Sequence, residues 1–368
     1  MKSTGLALLI LNAALAAVLA AGAPSQPARS DRLEYEYAGR NGLAPNCEHD
    51  VYCYRVLVPW VLERLPGDSD TRWRVYATTF KALAGFVTAV TTAYIVGAWQ
   101  APLLATVIAQ TSFGFTLTAY DPYTPDPFVF LAAALFLLAW IRGWPWLAVV
   151  LSLVGVFAKE TVVLLAGSTA LAALWRWRQQ PHWIVWALQA ALSCAVILGF
   201  HWVMDTYFGW GIARNRASRF WEGSWIVIWY ENMDSWRRIV FLLFIPFGFV
   251  WLFAPAGFRL APDRLRALTL GALLPMLALN YVQNPERALG TAFFVIVPLA
   301  ALFLSRVPVW LALAAALLNG LMTAKAGLST TWLPSTSVLV IPAAASAMWA
   351  LWVGWRTNRF EEPTRSRP

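Results

Sequence analysis

Four polar clusters interrupt an otherwise apolar chain, and their residue types could carry proton and phosphate chemistry. The first lies in SDRLEYEYAGRNGLAPNCEHDVYCYRVLVPWVLERLP, where Asp31, Glu34, Glu36, Glu48 and Asp50 are the carboxylates of interest. The second is AYDPYTPDPF, with Asp121 and Asp126. Lys159-Glu160 forms the third, and Asn284, Glu286 and Arg287 in VQNPERALG form the fourth. A carboxylate can take a proton from an acceptor hydroxyl while neighbouring Lys and Arg bind a lipid-linked phosphate. Each residue alone has an ordinary reading, since loop acids are usually solvated and Asp-Pro commonly starts a turn or helix. Their shared placement is the informative feature.

The elements that must hold them are membrane helices. Of all residues 59% are hydrophobic and only 13% charged, with mean hydropathy +0.57, too apolar for a chain that water must cover. Apolar runs lie near 5–22, 75–98, 101–119, 127–141, 144–158, 161–175, 183–203, 239–256, 267–282, 289–304, 308–324 and 339–355. The sequence therefore predicts an all-α transmembrane bundle of about twelve helices, as one integral membrane domain over 1–368. Trp60, Trp73, Trp99, Trp140, Trp144, Trp175, Trp177 and Trp355 flank such runs, as indoles at the headgroup level do. The first run, after Lys2, reads either as a signal peptide ending near Ala20–Ala23 or as a retained helix. Retention is adopted, and both readings put residue 24 onward outside.

Basic residues set the orientation. With the N-terminus inside, the inner face collects Lys2, Arg142, Arg176, Arg178, Arg259, Arg264, Arg266, Arg306, Arg356, Arg359, Arg365 and Arg367, against Asp263, Glu361 and Glu362. The outer face receives two long loops, 23–74 and 204–238, and the connections 120–126, 159–160 and 283–288. This holds only if 144–175 is a hairpin. As one long helix it would reverse everything downstream, moving ten basic residues outside and seven inside. The hairpin's arms would be about 24 Å long, against a hydrocarbon core of about 30 Å. Its Lys159-Glu160 tip would sit below the surface, facing a cavity or partner; the alternative is a local pair closing a turn. In the first outer loop Val51, Tyr54, Val58, Val61, Leu62 and Leu65 have near-helical spacing over Asp50 to Leu65, with Arg55, Glu63 and Arg64 as polar contrast. They predict an amphipathic helix lying on the membrane.

Several classes are excluded. The net charge of +9 is spread over short loops, so it does not mark a nucleic-acid binder. No GxxxxGK[ST], HExxH, GxSxG or GxGxxG occurs, and His49, His182 and His201 are too dispersed for a metal cluster. Cys47 and Cys53 lie close enough to pair in an oxidising compartment, or are two free thiols; Cys194 packs within an apolar span.

In order along residues 1–305, these features resemble the GT-C superfamily of integral membrane glycosyltransferases, especially its bacterial, poorly characterised members. The similar segments are the acidic first loop with YCYRVLVPWVL, then DPYTPDPFVFLAAALFLLAWIRG, LSLVGVFAKETVVLLA and NPERALGTAFFVIVPLAALF. The resemblance implies a polyprenyl-phosphate sugar donor and a first-loop acid as catalytic base or metal ligand. Asp31, Glu34 and Glu36 are the candidates, with Asp50 behind them. It implies that Asp121 matches the second-loop acid, binding a divalent ion (Mg or Mn) or orienting the sugar. Lys159 and Arg287 would meet the donor phosphate. The sequence departs in having the spaced DRLEYE in place of an adjacent acidic pair, and in lacking a large C-terminal outer domain.

The resulting expectation is a glycosyltransferase of the bacterial plasma (inner) membrane, with cytoplasmic termini and an outward-facing site. Asp31, Glu34 and Glu36 are its catalytic candidates; Asp121, Lys159, Glu160, Arg287 and Arg55 bind substrate. Tyr35, Tyr37, Trp221 and Trp225 stack on sugars or anchor in headgroups. Its partners are the polyprenyl-phosphate-linked sugar and the bilayer. The rivals are a transporter or lipid flippase, with ionisable residues mid-helix and internal repeats, and a non-catalytic subunit docking through 204–238.

Overall fold

The computed structural model describes residues 2–24, 30–43, 53–209, 230–231, 233–279 and 285–360. Among them every regular element is a helix. In chain order these are α1 (Lys2–Gly22), α2 (Ser30–Asn41), α3 (Leu57–Leu62), α4 (Ser69–Val96), α5 (Gln100–Thr111), α6 (Phe113–Tyr120) and α7 (Asp126–Arg142). Then come α8 (Pro145–Gly155), α9 (Val162–Trp175), α10 (Trp183–Phe208), α11 (Trp236–Phe247), α12 (Phe253–Leu260) and α13 (Asp263–Ala278). Last are α14 (Pro285–Leu289), α15 (Phe293–Leu304), α16 (Val309–Leu328) and α17 (Thr336–Phe360).

Each predicted apolar run is largely helical over its described residues, but seven helices among them are long and apolar enough to span alone. An eighth span is available if α5 and α6, bent 48° at Ser112, are taken together. The remainder fall short for a physical reason: α7, α8, α9 and α13 have 17, 11, 14 and 16 residues. The centre is α15, all of whose residues are buried. Helices crowd onto it through small side chains, as lipid-embedded helices do. A Cβ on Gly257 of α12 would lie 1.9 Å from Leu299 O, so only glycine allows that approach. The first helix is tied in by Asn12, whose amide donates to Thr106 Oγ1 (3.0 Å) and accepts from Gln110 Nε2 (3.0 Å).

Segment 144–175 is a hairpin. Trp140 Nε1 donates to Arg264 O and Arg264 Nη1 to Ile141 O, each at 2.7 Å, while Arg176 pairs with Asp263 at 3.7 Å. The ends of α7 and α9 therefore meet at one pole with the start of α13. The start of α7, at Asp126, meets Lys159 at the opposite pole.

The amphipathic helix expected over 50–65 is replaced by a shorter one, since α3 begins only at Leu57. Pro59 explains the boundary: its ring would clash with the carbonyl of Arg55 if the helix extended backward. Val58, Pro59 and Leu62 are buried while Trp60 and Val61 are exposed, so the two-sided character survives.

Candidate functional site

At the pole opposite Arg264, four separate segments deliver charge to one place. Each is fixed by a local device. The second loop is held by Tyr76 of α4, whose hydroxyl donates to Pro125 O (3.3 Å) and accepts from Phe128 N (3.0 Å). Pro127 suits the first turn of α7, and Thr124 Oγ1 accepts from Asp126 N (3.3 Å), so Asp126 opens the helix. The hairpin tip is joined to the first loop by a backbone hydrogen bond from Leu57 N to Phe157 O (3.0 Å). α14 carries Arg287.

Asp126 is the hub. One carboxylate oxygen accepts from Lys159 Nζ and the other from Arg287 Nε. The Asp126 side chain is only 6% exposed. Beside this triad, Arg55 makes a two-pronged pair with Glu160, Nε to Oε2 at 3.0 Å and Nη2 to Oε1 at 2.5 Å. Its remaining prong donates to the Tyr35 hydroxyl at 3.1 Å. Asp121, also buried, lies within electrostatic reach of Arg287.

Such a cluster is costly to desolvate and persists when its members hold one another or a ligand. Burial alone would raise the Glu160 carboxyl, but the Arg55 guanidinium overcomes this and lowers it to about 2. Burial pulls the Lys159 ammonium below its ordinary value, with Asp126 acting against the shift. Burial raises the Tyr35 hydroxyl, opposed by Arg55.

The α2 side chains divide. Tyr35 enters the cluster, whereas Glu36 is engaged elsewhere: it accepts from Arg32 Nε (2.8 Å), Arg40 Nη2 (3.2 Å) and Ser69 Oγ (2.6 Å). Burial would raise Glu36, but the Ser69 and Arg32 hydrogen bonds outweigh it and leave the carboxyl lowered. Asp31 and Glu34 are both half-buried. α2 rests on α3 at Gly39, where a Cβ would stand 2.6 Å from Glu63 Cγ and 2.7 Å from Pro59 O.

Of the predicted binding residues, Arg55, Lys159, Glu160 and Arg287 are thus in direct contact within the cluster or adjoin it in sequence, with Asp121 nearby. The expected second-loop acid is Asp121, but the residue that takes the two cations is Asp126. Both acids precede a proline, and it is the fold that separates them: Asp126 stands in the first turn of α7, while Asp121 ends α6. Tyr35 is buried against Trp73 (5.8 Å between rings) with its hydroxyl toward Arg55, a packed position. Glu48, Asp50, Cys47, Trp221, Trp225 and Asn284 lie outside the described residues. Cys53 is disulfide-bonded, to a partner outside the described residues, and Cys194 is free.

Among the described residues no three His, Cys, Asp or Glu side chains are grouped as metal ligands would be. Asp126, the hub carboxylate, already holds two cations. No protein-family model matches the chain, and a search of curated proteins finds no match.

Proposed function

We propose that this chain is a membrane glycosyltransferase of GT-C type, moving a sugar from a polyprenyl-phosphate donor to an extracytoplasmic acceptor. The observation that carries this reading is the meeting of Lys159 and Arg287 on one carboxylate, Asp126, beside the Arg55–Glu160 pair. In the reaction the acceptor oxygen attacks the anomeric carbon, the carbon–oxygen bond to phosphate breaks, and the polyprenyl phosphate leaves with the bonding electrons. A carboxylate takes the acceptor's proton. Lys159 and Arg287 exchange Asp126 for the donor phosphate and stabilise the charge that grows on it. Arg55 and Glu160 hold the hairpin tip so that Lys159 keeps its aim.

The base is sought on α2. The candidates are Asp31, Glu34 and Glu36; Glu36 is held by two arginines and a serine, which lower its carboxyl and make it a weaker base than an ordinary carboxylate. In this reading the apolar helices form the membrane domain of a bacterial inner-membrane protein, with the cluster facing outward. The disulfide at Cys53, on the segment that carries Arg55, supports an oxidising outer compartment.

Purified protein supplied with radiolabelled polyprenyl-phosphate sugar should consume it. Lys159→Met and Arg287→Met should each lower kcat by about 10²-fold or more, as loss of a transition-state charge partner does. Asp31→Asn and Glu34→Gln should identify the base. Donor turnover that is unchanged in both cation variants would sink the phosphate assignment.

One observation favours the rival reading of a transporter or flippase. Lys81, inside the spanning helix α4, is 1% exposed, and its amine donates to Phe115 O at 3.1 Å. Ionisable groups so placed mark transport pathways in many membrane proteins. Lipid scrambling by proteoliposomes in the absence of any acceptor, abolished by Lys81→Met, would support that reading over sugar transfer.

A further inference from the structure

At the opposite pole, between the end of α9 and the α12–α13 corner, lies a recess of about 390 Å³. We infer that it is a binding site for the phosphate of an anionic glycerophospholipid, independent of the Asp126 cluster and of the activity proposed there.

Three arginines, Arg176, Arg178 and Arg266, line it against one carboxylate, Asp263. That carboxylate is a weak occupant. It stands 3.7 Å from Arg176 Nη2 and 3.8 Å from Arg266 Nη1, both beyond hydrogen-bond length, and its side chain is 72% exposed. The guanidiniums are pre-set: Arg266 donates from Nε to Phe258 O at 3.1 Å and from Nη2 to Arg259 O, Arg176 Nη2 donates to Gln179 Oε1 at 2.5 Å, and Arg178 lies over the Trp177 ring at 4.9 Å. Planar guanidinium forks suit phosphate oxygens, and an excess of two positive charges leaves room for an anion.

The other wall argues for a lipid over a soluble anion. Phe258 and Leu270 line the recess, and Trp175 at its rim is 74% exposed. An apolar wall beside a basic floor matches a headgroup whose acyl chains run along the helices. Basic pockets between membrane helices bind anionic headgroups by this arrangement, and indoles sit at the same depth.

Native mass spectrometry of the full chain from detergent tests this, using phosphatidylglycerol, phosphatidylcholine and inorganic phosphate as probes. We expect one phosphatidylglycerol to be retained in preference to phosphatidylcholine. Arg176→Ala and Arg266→Ala should each weaken that binding about tenfold, the usual loss for one charge-assisted hydrogen bond. Arg356→Ala, whose guanidinium lies over Trp352 on α17, should leave it unchanged. Asp263→Asn should tighten it. Equal retention of both lipids, or binding indifferent to both arginine variants, overturns the site. Inorganic phosphate competing on equal terms with the lipid assigns the recess to a soluble anion and overturns the lipid assignment. Should the arginine variants not fold, Asp263→Asn decides: tighter binding supports the site and unchanged binding overturns it.

Discussion

Asp126 neutralises two buried cations at once, so its removal should be felt as repulsion. Asp126→Asn is expected to cost about 3–5 kcal/mol, the range for orphaning a buried charge. Thermal unfolding in detergent would measure it, and added pyrophosphate should recover part of the loss by taking the vacated position. Glu160 gives a pH prediction. Its carboxyl is depressed from 4.5 to about 2 in the folded chain. The Arg55–Glu160 pair therefore stabilises fully above pH 4.5, and that contribution is lost as pH falls toward 2. Glu160→Gln should flatten this part of the stability profile; an unchanged decline would show that other groups cause it. At this scale the sequence was partly legible. Polar residues at the ends of apolar runs stand out because lipid-facing positions exclude them. Which of Asp121 and Asp126 takes the cations did not stand out, because both precede proline in the same loop.

At the scale of elements, packing decides what helices can change. Glycine to alanine inside a helix normally stabilises by about 0.5–1 kcal/mol. Gly39→Ala should do the reverse, losing about 1–3 kcal/mol through the overpacking of α2 against Pro59 and Glu63. Gly5→Ala, where a Cβ meets nothing within 4 Å, is the control and should be neutral or stabilising. If both variants unfold alike, the close approach of α2 to α3 is not limiting. The apolar runs announced their helices because backbone groups in lipid must bond within their own segment. The breaks were less visible. Between α11 and α12 the chain turns at Gly248 (φ +58°) through a 3₁₀ segment, Gly248–Leu252. Asn319 from α16 bonds both Phe247 O (3.0 Å) and Phe249 N (2.6 Å) there. A partner about 70 residues away cannot be read from local spacing.

Among the described residues two groups of charges stand at the two ends of α7. Carboxylates and their paired cations gather around Asp126, and largely unopposed arginines gather around Ile141 and Asp263. The separation is about 25 Å for the 17 residues of α7. Exposed positions at each pole allow a direct test of orientation. Arg64→Cys, beside Trp60 on the first loop, should react with an impermeant thiol reagent in intact cells; Arg178→Cys should react only after permeabilisation. The reverse pattern would turn the protein over and place the Asp126 cluster in the cytoplasm. The hairpin makes this partition possible, and a count of basic residues, ten against seven, favours it only modestly. The contacts of Arg264 and Arg176, which no count contains, distinguish it from one long helix.

The brevity of α8 and α9 bears on the bilayer itself. Their lengths are about 16 and 21 Å, well short of a hydrocarbon core of about 30 Å. Lipid cannot keep its full thickness against such a pair, so the leaflet above Lys159 must dip or water must fill the gap. Where the leaflet dips, the phosphate plane of the surrounding lipids is drawn down toward the hairpin tip. A lipid-borne phosphate could then reach Lys159 and Arg287 by sliding sideways, without being lifted clear of the membrane.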